Sequence, residues 1–461
     1  MSHFASPHPR AFPRAGLRAG SIAAVAMWLV LPAAAAGSER TYTVRAGPFR
    51  VANFESRFLN RPARTPAVTG WVTRMHARLV DGRGRSIALR RVMLHHVFFR
   101  NRSRARLRGT CGERPDETFY GTGEENQSLN LPRGYGYRVR RRDRWWIGGM
   151  IMSHSLAARR VYVEYRVRVE TRPRRPVRPL WVRASGCGRH ASYGIRGGGL
   201  PGSLDERVEH WRVPVSGRIV AAGGHLHAGA VDLRMTQPAC GGRLLFHHRP
   251  AFGAPDHRVY RARPVLHEVG PIATSAFSSA TGLPVRKGEV LDLRALYDAD
   301  RPRPGVMAIT HIYLAPDRKV VAGCGAAPAD ARQTPPPAGA RAAAPWIPTP
   351  LWSLDDRHRP VVLPEPPGPP RELGDGATIA LRENRFSPES VVIRQGDRLR
   401  WQFHDAGPHN LTFANGPRAV AGQTLRRGGT TETQFDVVGR YQLFCYLHPM
   451  TMHEQVTVLP R

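Results

Sequence analysis

Residues 445–453 read CYLHPMTMH, between RYQLF (440–444) and the apolar alternation QVTVL (455–459). One thiol, two imidazoles and two thioethers crowd a short stretch. Thiolate, imidazole and thioether together form a soft donor set that suits copper. A mononuclear electron-transfer copper takes two imidazoles and a thiolate in a trigonal set, with a weak axial thioether. Cys445 and His448 supply the thiolate and one imidazole. The second imidazole must come from elsewhere, and His409 in GPHNLTF stands at a turn before a strand, a suitable place. Met450 lies close behind His448, tight for a side chain that must fold back over a metal. Met452 leads directly into the last strand and is the preferred axial ligand, with Met450 the alternative. His453 is expected to face solvent. A lone Cys-x-x-His would be a structural cysteine beside an incidental histidine. The PHN segment, the strand context and the following methionine turn the reading to copper. Such a site carries one electron and has no open position for a substrate.

Working outward, ATIALREN (377–384), SVVIRQGDRLRWQF (390–403), TETQFDVVGRYQLF (431–444) and QVTVL alternate apolar and polar residues at close spacing. This is the pattern of a small β-sandwich, predicted over 375–461. The segments NRFSPESVVIRQGDRLRWQF, PHN, GRYQLFCYLHP and QVTV resemble the cupredoxins, the plastocyanin-like blue copper proteins. The resemblance makes His409, Cys445 and His448 equatorial ligands of a type 1 copper.

Residues 325–374 are rich in Pro, Ala and Gly, as in QTPPPAGARAAAPW and LPEPPGPP, and predict an extended, flexible linker. Before it, 38–324 also reads as β, with RVMLHHVFF, RVYVEYRVRVE and EVLDLRALY as strands. RPRRPVRP (172–179) is a weaker break that divides this region into 38–175 and 176–324. No long helical periodicity is present, so the predicted class is all-β.

Further imidazole and thioether groups lie in the large region: His95 and His96 in MLHH, His154 in MIMSH, His225 and His227 in GGHLH, and Met307 in PGVMAITHIY. His225 and His227 fall on one face of a strand, so one metal can take both. Adjacent His95 and His96 would point to opposite faces of a regular strand. One metal could take both only at a strand end or a distortion. The pair His247–His248 is read as incidental, and Met307 alone would be core.

The order of these groups, HH, H, HxH and then M, resembles the copper type II, ascorbate-dependent monooxygenases, the peptidylglycine- and dopamine-hydroxylating enzymes. LPRGYGYRV before RWWIGGMIMSH, and KGEVLDLRALYD before PGVM, support it. The resemblance covers about 85–315. It implies two β-sandwiches, each with one copper, facing across a solvent gap. His95, His96 and His154 would hold an electron-transfer copper. His225, His227 and Met307 would hold a catalytic copper that binds dioxygen. The implied reaction hydroxylates a C–H bond of a small-molecule or peptide substrate, using an electron donor such as ascorbate or another small reductant. The sequence departs from the peptide-acting enzymes at two positions: Gly223 stands where they carry a substrate-binding arginine, and His311 where they carry a tyrosine. A peptidylglycine substrate is therefore not supported. The alternative is a non-catalytic extracytoplasmic copper-binding and electron-transfer protein.

The formal net charge is +34, which invites a nucleic-acid reading. The arginines are scattered with no dense basic tract, basic helix or phosphate loop, so nucleic acid is not expected. A codon bias towards arginine accounts for the charge, which is also compatible with contact to an anionic cell surface. Residues 1–36 combine basic Arg14 and Arg18 with the apolar run SIAAVAMWLVLPAAAA. This predicts a signal peptide cleaved near Ala36, and a secreted or otherwise extracytoplasmic protein with no stable membrane span. With Cys445 on metal, Cys111, Cys187, Cys240 and Cys324 are left, and three pairings remain open.

Overall fold

Alternation along the strands decides the layers. In Arg398–Phe403, Leu399, Trp401 and Phe403 are buried while Arg398, Arg400 and Gln402 are exposed. In Arg159–Glu170, Val161, Val163, Tyr165, Val167 and Val169 are buried. Each such strand needs an apolar layer against its inner face. The computed structural model describes residues 38–461 except 113, 189, 190, 198, 322, 346, 348, 419 and 421–423. The expected signal peptide lies outside the described residues.

Three two-sheet sandwiches follow in order. In the first, the sheet Glu39–Val51, Arg159–Glu170, Gly70–Val80, Tyr135–Val139, Arg175–Pro176 faces the sheet Ser56–Ala63, Trp145–Ser153, Val92–Ala105, Asp116–Gly123. Phe119 and Tyr137 stack between them at 4.8 Å. In the second, Arg178–Arg183, Arg303–Pro316, Gly217–Leu226, Phe277–Val285, Arg332–Gln333 face Leu204–Arg212, Val290–Asp298, Ala230–Gln237, Arg243–His248. RPRRPVRP thus falls where the chain passes from one sandwich to the next. In the third, Arg371–Glu372, Ser390–Arg394, His453–Leu459, Gly439–Phe444, Thr412–Asn415 face Arg385–Ser387, Ala377–Arg382, Arg398–Phe403, Thr430–Gln434. The only helices among the described residues are the short 3-10 turns Pro238–Cys240 and Arg258–Arg261. No helix among them is long and apolar enough to cross a membrane.

Two disulfides settle the open pairing: Cys111–Cys187 and Cys240–Cys324. Cys445 is free and buried. The segment 325–374, expected to run as an extended linker, carries anchors. Arg332–Gln333 pairs with Phe277–Val285, and Trp352 Nε1 donates to the Val265 carbonyl at 2.8 Å. Further on, the Pro364 carbonyl accepts from Gln442 Nε2 at 2.7 Å.

Between the first and third sandwiches lies a fourth apolar cluster. It joins Phe54, Met93, Met150 and Met152 to Met450 of the CYLHPMTMH loop. Tyr446 of that loop sits edge-on to Phe58, with ring centroids 6.2 Å apart.

The third core contains a buried acid. Glu454 is fully buried and accepts a 2.7 Å hydrogen bond from Trp401 Nε1. Burial pushes its pKa up to about 8 from an ordinary 4.5. The folded state therefore holds a proton that the unfolded state releases, and stability is fully present below about pH 4.5 and lost as pH rises through 8. Glu454→Gln is expected to stabilise this domain at pH 8–9 by on the order of 3 kcal/mol and to flatten its pH dependence between 5 and 8. Hydrogen exchange of strands Ser390–Arg394 and Arg398–Phe403 across that range measures it. An unchanged pH slope in the variant would refute the assignment.

Candidate metal centres

The C-terminal centre is built by one loop closing on itself. After strand Gly439–Phe444, the Cys445 N–H donates to the Met452 carbonyl at 3.0 Å, and the Met452 N–H to the His448 carbonyl at 3.1 Å. Asn410 braces the loop: its Oδ1 accepts from the Tyr446 N–H at 3.0 Å. The Asn410 N–H points at Cys445 Sγ, 3.4 Å away. His409 Nδ1 lies 3.2 Å from His448 Nδ1, and Cys445 Sγ lies 3.6 Å from His448 Nδ1. His409 Nε2 donates to Asp405 at 2.8 Å, which turns Nδ1 inward. Donors about 2.0–2.3 Å from a common ion stand roughly 3–3.7 Å apart, so these separations fit a trigonal copper. Burial pushes the Cys445 thiol up to about 11. The thiol is protonated at neutral pH, and metal uptake must displace that proton.

The two methionines part company. Met452 is fully buried in the same core as Cys445, whereas Met450 packs among Met93, Met150 and Met152 of the first sandwich. Met452→Leu is expected to shift the visible spectrum and the reduction potential, since the axial ligand tunes both. Met450→Leu should leave them in place. Absorption spectra and potentiometry of the two variants check this, and a reversal of the pattern would make Met450 the axial ligand. His453 corrects an expectation. It is buried rather than solvent-facing, with Nε2 on the Pro449 carbonyl at 3.0 Å, because pairing with Phe444 carries it into the sheet.

In the first sandwich, a β-bulge between Leu94 and His96 breaks the register of strand Val92–Ala105 against Trp145–Ser153. The bulge cancels the alternation that would send the adjacent rings apart. His95 Nδ1 and His96 Nδ1 meet at 2.8 Å. Gly149, at φ +144°, lies opposite; a Cβ there would stand 2.2 Å from the His96 carbonyl oxygen. His154 stands at the end of the neighbouring strand, its Nδ1 2.9 Å from the Pro264 carbonyl. Its Nε2 is buried and has no protein partner.

In the second sandwich, His225 lies in the strand Gly217–Leu226 and His227 one residue past its end, their rings 5.1 Å apart. Both Nε2 atoms are buried with no protein partner. His225 Nδ1 faces Glu125 at 3.1 Å, a carboxylate contact that orients the ring and frees Nε2. Tyr297 joins the pair to Met307: its hydroxyl donates to the Met307 carbonyl at 2.5 Å and accepts from the His227 N–H at 3.1 Å. Met307 lines a cavity of about 870 Å³ together with His95, His96 and His227. Tyr446 and Asn410 of the C-terminal domain line the same cavity.

The resemblance to the monooxygenases implies a solvent gap between the two donor sets. The structure brings them into ring contact. His95 and His227 stand edge-to-face at 5.4 Å between centroids, and His96 and His225 at 6.2 Å. Burial keeps these imidazoles neutral, the ligating form: His95 and His227 lie well below the ordinary value, His96 is pushed to about 3 and His154 to about 4. His225 differs. Burial lowers it, but Glu125 and Glu124 outweigh burial and raise it above the ordinary value.

Glu124, Glu125 and His267 join these rings without a signal in the sequence. His267 Nε2 donates to Glu124 at 2.7 Å beside His95. Two acidic residues in a turn and one histidine in a loop carry no spacing signal. The pair His247–His248 stays outside the site. His248 is a satisfied core residue between the Ser275 carbonyl, 2.8 Å, and Thr310 Oγ1, 2.9 Å. Of the two departures, Gly223 packs against Gln127, and His311 stacks on Trp181 at 4.0 Å.

Comparison with known proteins bears on the C-terminal domain. Residues 377–459 match the family "Copper binding proteins, plastocyanin/azurin family". Amicyanin-alpha of Methylorubrum extorquens is 31% identical over 83 residues, covering 17% of this chain and 70% of that protein. Amicyanin of Paracoccus versutus is 24% identical over 78 residues, covering 16% of this chain and 59% of the relative. The crystal structure of amicyanin from Paracoccus versutus is 25% identical, covers 18% of this chain and 82% of its own, and has a TM-score of 0.17.

Proposed function

The C-terminal domain of this chain belongs to the plastocyanin/azurin family of copper-binding proteins, and from that premise we propose an exported multi-copper monooxygenase. The C-terminal domain passes single electrons into a hydroxylase formed by the two preceding sandwiches. The observation that carries this reading is the docked loop. Met450 and Tyr446, flanking the ligand His448, pack against Met93 of the strand that bears His95 and against Met150 and Met152 of the strand that ends just before His154.

The C-terminal donor set fits copper. Cys445, His409 and His448 converge with Met452 behind them. In the large region, His154, His225 and His227 each hold a buried Nε2 with no protein partner. His95, His96 and His154 would hold the electron-transfer ion of the large region, and His225, His227 and Met307 the ion beside the cavity. Copper there would supply one-electron steps and, at the thioether-bearing site, affinity for dioxygen in the reduced state. The chain's own residues do the rest. Glu125 orients His225, Tyr297 fixes Met307 relative to His227, and the cavity admits a small substrate. Overall, one C–H bond and dioxygen become C–OH and water, with two electrons and two protons consumed. Ascorbate or another small reductant is the ultimate donor. The two disulfides accord with an extracytoplasmic setting.

A second reading, a non-catalytic electron-transfer protein, is favoured by Gly223 where an arginine would hold a substrate carboxylate. Oxygen uptake with ascorbate and candidate substrates separates the two. Met307→Ala should lower oxygen-dependent product at least 100-fold while the visible band of the C-terminal copper persists. Absence of uptake in the fully loaded wild type would leave the carrier reading.

A further inference from the structure

We infer that His95, Glu124 and His267 hold a divalent transition-metal ion at a position separate from the one that His95 and His96 frame. One donor atom from each of the three residues lies within 4.8 Å of the other two. Glu124 Oε1 is 2.7 Å from His267 Nε2 and 3.6 Å from His95 Nε2. Donors about 2.0–2.2 Å from a tetrahedral ion stand roughly 3.4 Å apart, so small side-chain shifts, with the His267 ring proton passing from Nε2 to the unpartnered Nδ1, close the set.

The carboxylate is prepared for the role. Its Oε2 takes the Gly270 N–H at 2.8 Å, leaving Oε1 to face both imidazoles. Hydrogen bonding accounts for one of those imidazoles. The second, His95 at 3.6 Å, is beyond a hydrogen bond, yet its ring edge is turned to the same oxygen. The side chains of His95 and Glu124 are at most a tenth exposed. Three separate elements supply the donors: the bulged strand Val92–Ala105, the turn after Asp116–Gly123, and the loop that holds Pro264 against His154.

His95 presents Nδ1 to His96 and Nε2 to Glu124 and His267. Its ring therefore lies between two donor sets. With an ion on each side, the ring would bridge them as an imidazolate and release its remaining proton to solvent when the second ion is taken up. The set proposed here has two imidazoles, one carboxylate and no sulfur. That composition favours a divalent ion such as Zn²⁺ or Cu²⁺ over Cu⁺. This site shares only His95 with the proposed hydroxylase and uses neither Met307 nor the C-terminal copper, so the zinc readout and oxygen uptake fail separately.

Zinc is the probe, added at one equivalent to the copper-loaded full chain. Anomalous diffraction at the zinc edge should place a peak about 2.0–2.2 Å from His95 Nε2, His267 and Glu124. Equilibrium dialysis should show zinc affinity at least tenfold weaker in Glu124→Gln and in His267→Asn. Met307→Ala should bind zinc as the wild type does, whatever becomes of oxygen uptake. A zinc peak elsewhere, or no peak, overturns the assignment, as does unchanged zinc affinity in both variants. The wild-type diffraction result stands even if a variant fails to fold.

Discussion

Cys445→Ser is expected to abolish the intense visible band of the copper-loaded protein and to remove one copper per chain. The band belongs to the copper–thiolate bond, and a serine hydroxyl is a hard donor that keeps its proton. His409 and His448 alone leave two imidazoles for the ion, and affinity there should fall at least 100-fold. The domain itself should survive. The cysteine side chain is fully buried and takes the Asn410 N–H, a bond that a serine oxygen can accept. The stability change should therefore stay within about 1–2 kcal/mol. Under the relay reading, turnover driven by donors that act only through the C-terminal domain stops. A reductant small enough to reach the large cavity keeps some activity. Copper analysis, absorption spectra and oxygen uptake on the same preparation measure all three effects. A variant that keeps the band would show that the thiolate is not the ligand. Turnover unchanged with every donor would sink the relay.

Gly149→Ala should have the largest effect on stability. Gly149 has φ +144°, which L side chains rarely adopt, and its Cβ would lie 2.2 Å from the His96 carbonyl oxygen and 2.8 Å from Val97 Cα. Both obstacles are backbone, so no rotamer change relieves them. The bulge that brings His95 Nδ1 to His96 Nδ1 sits on this contact. We expect a loss of at least 3 kcal/mol in the first sandwich and loss of the copper proposed for the His95–His96 set. Gly82→Ala is the control, since its Cβ would meet only Tyr162 at 3.9 Å. Urea unfolding read by hydrogen exchange in Val92–Ala105 and Trp145–Ser153 compares them. Equal midpoints for the two variants would remove the glycine from the account of the bulge.

The strands were legible because burial imposes a two-residue period on the sequence, as in Leu399, Trp401 and Phe403. The cysteine loop was legible because its donors are neighbours in the chain. His95 and His96 were half legible: adjacency required a distortion, and the structure supplies it as a bulge opposite a glycine. His453 was misread because a polar residue beside two ligands suggests the surface, while its pairing with Phe444 buries it. Segment 325–374 has the composition of a linker, but Trp352 and Pro364 anchor it to the second and third sandwiches.

The sequence by itself determined the all-β class, the C-terminal copper-binding sandwich and the kinds of donor atom available. These follow from local periodicity, composition and residue chemistry. Only the tertiary structure decided the disulfide pairing, the ring contact between His95 and His227, the carboxylates behind His95 and His225, and the seat of Met450 among Met93, Met150 and Met152. Each joins residues far apart in the chain. Their separation is set by how sheets pack on one another, a property that no stretch of sequence carries alone.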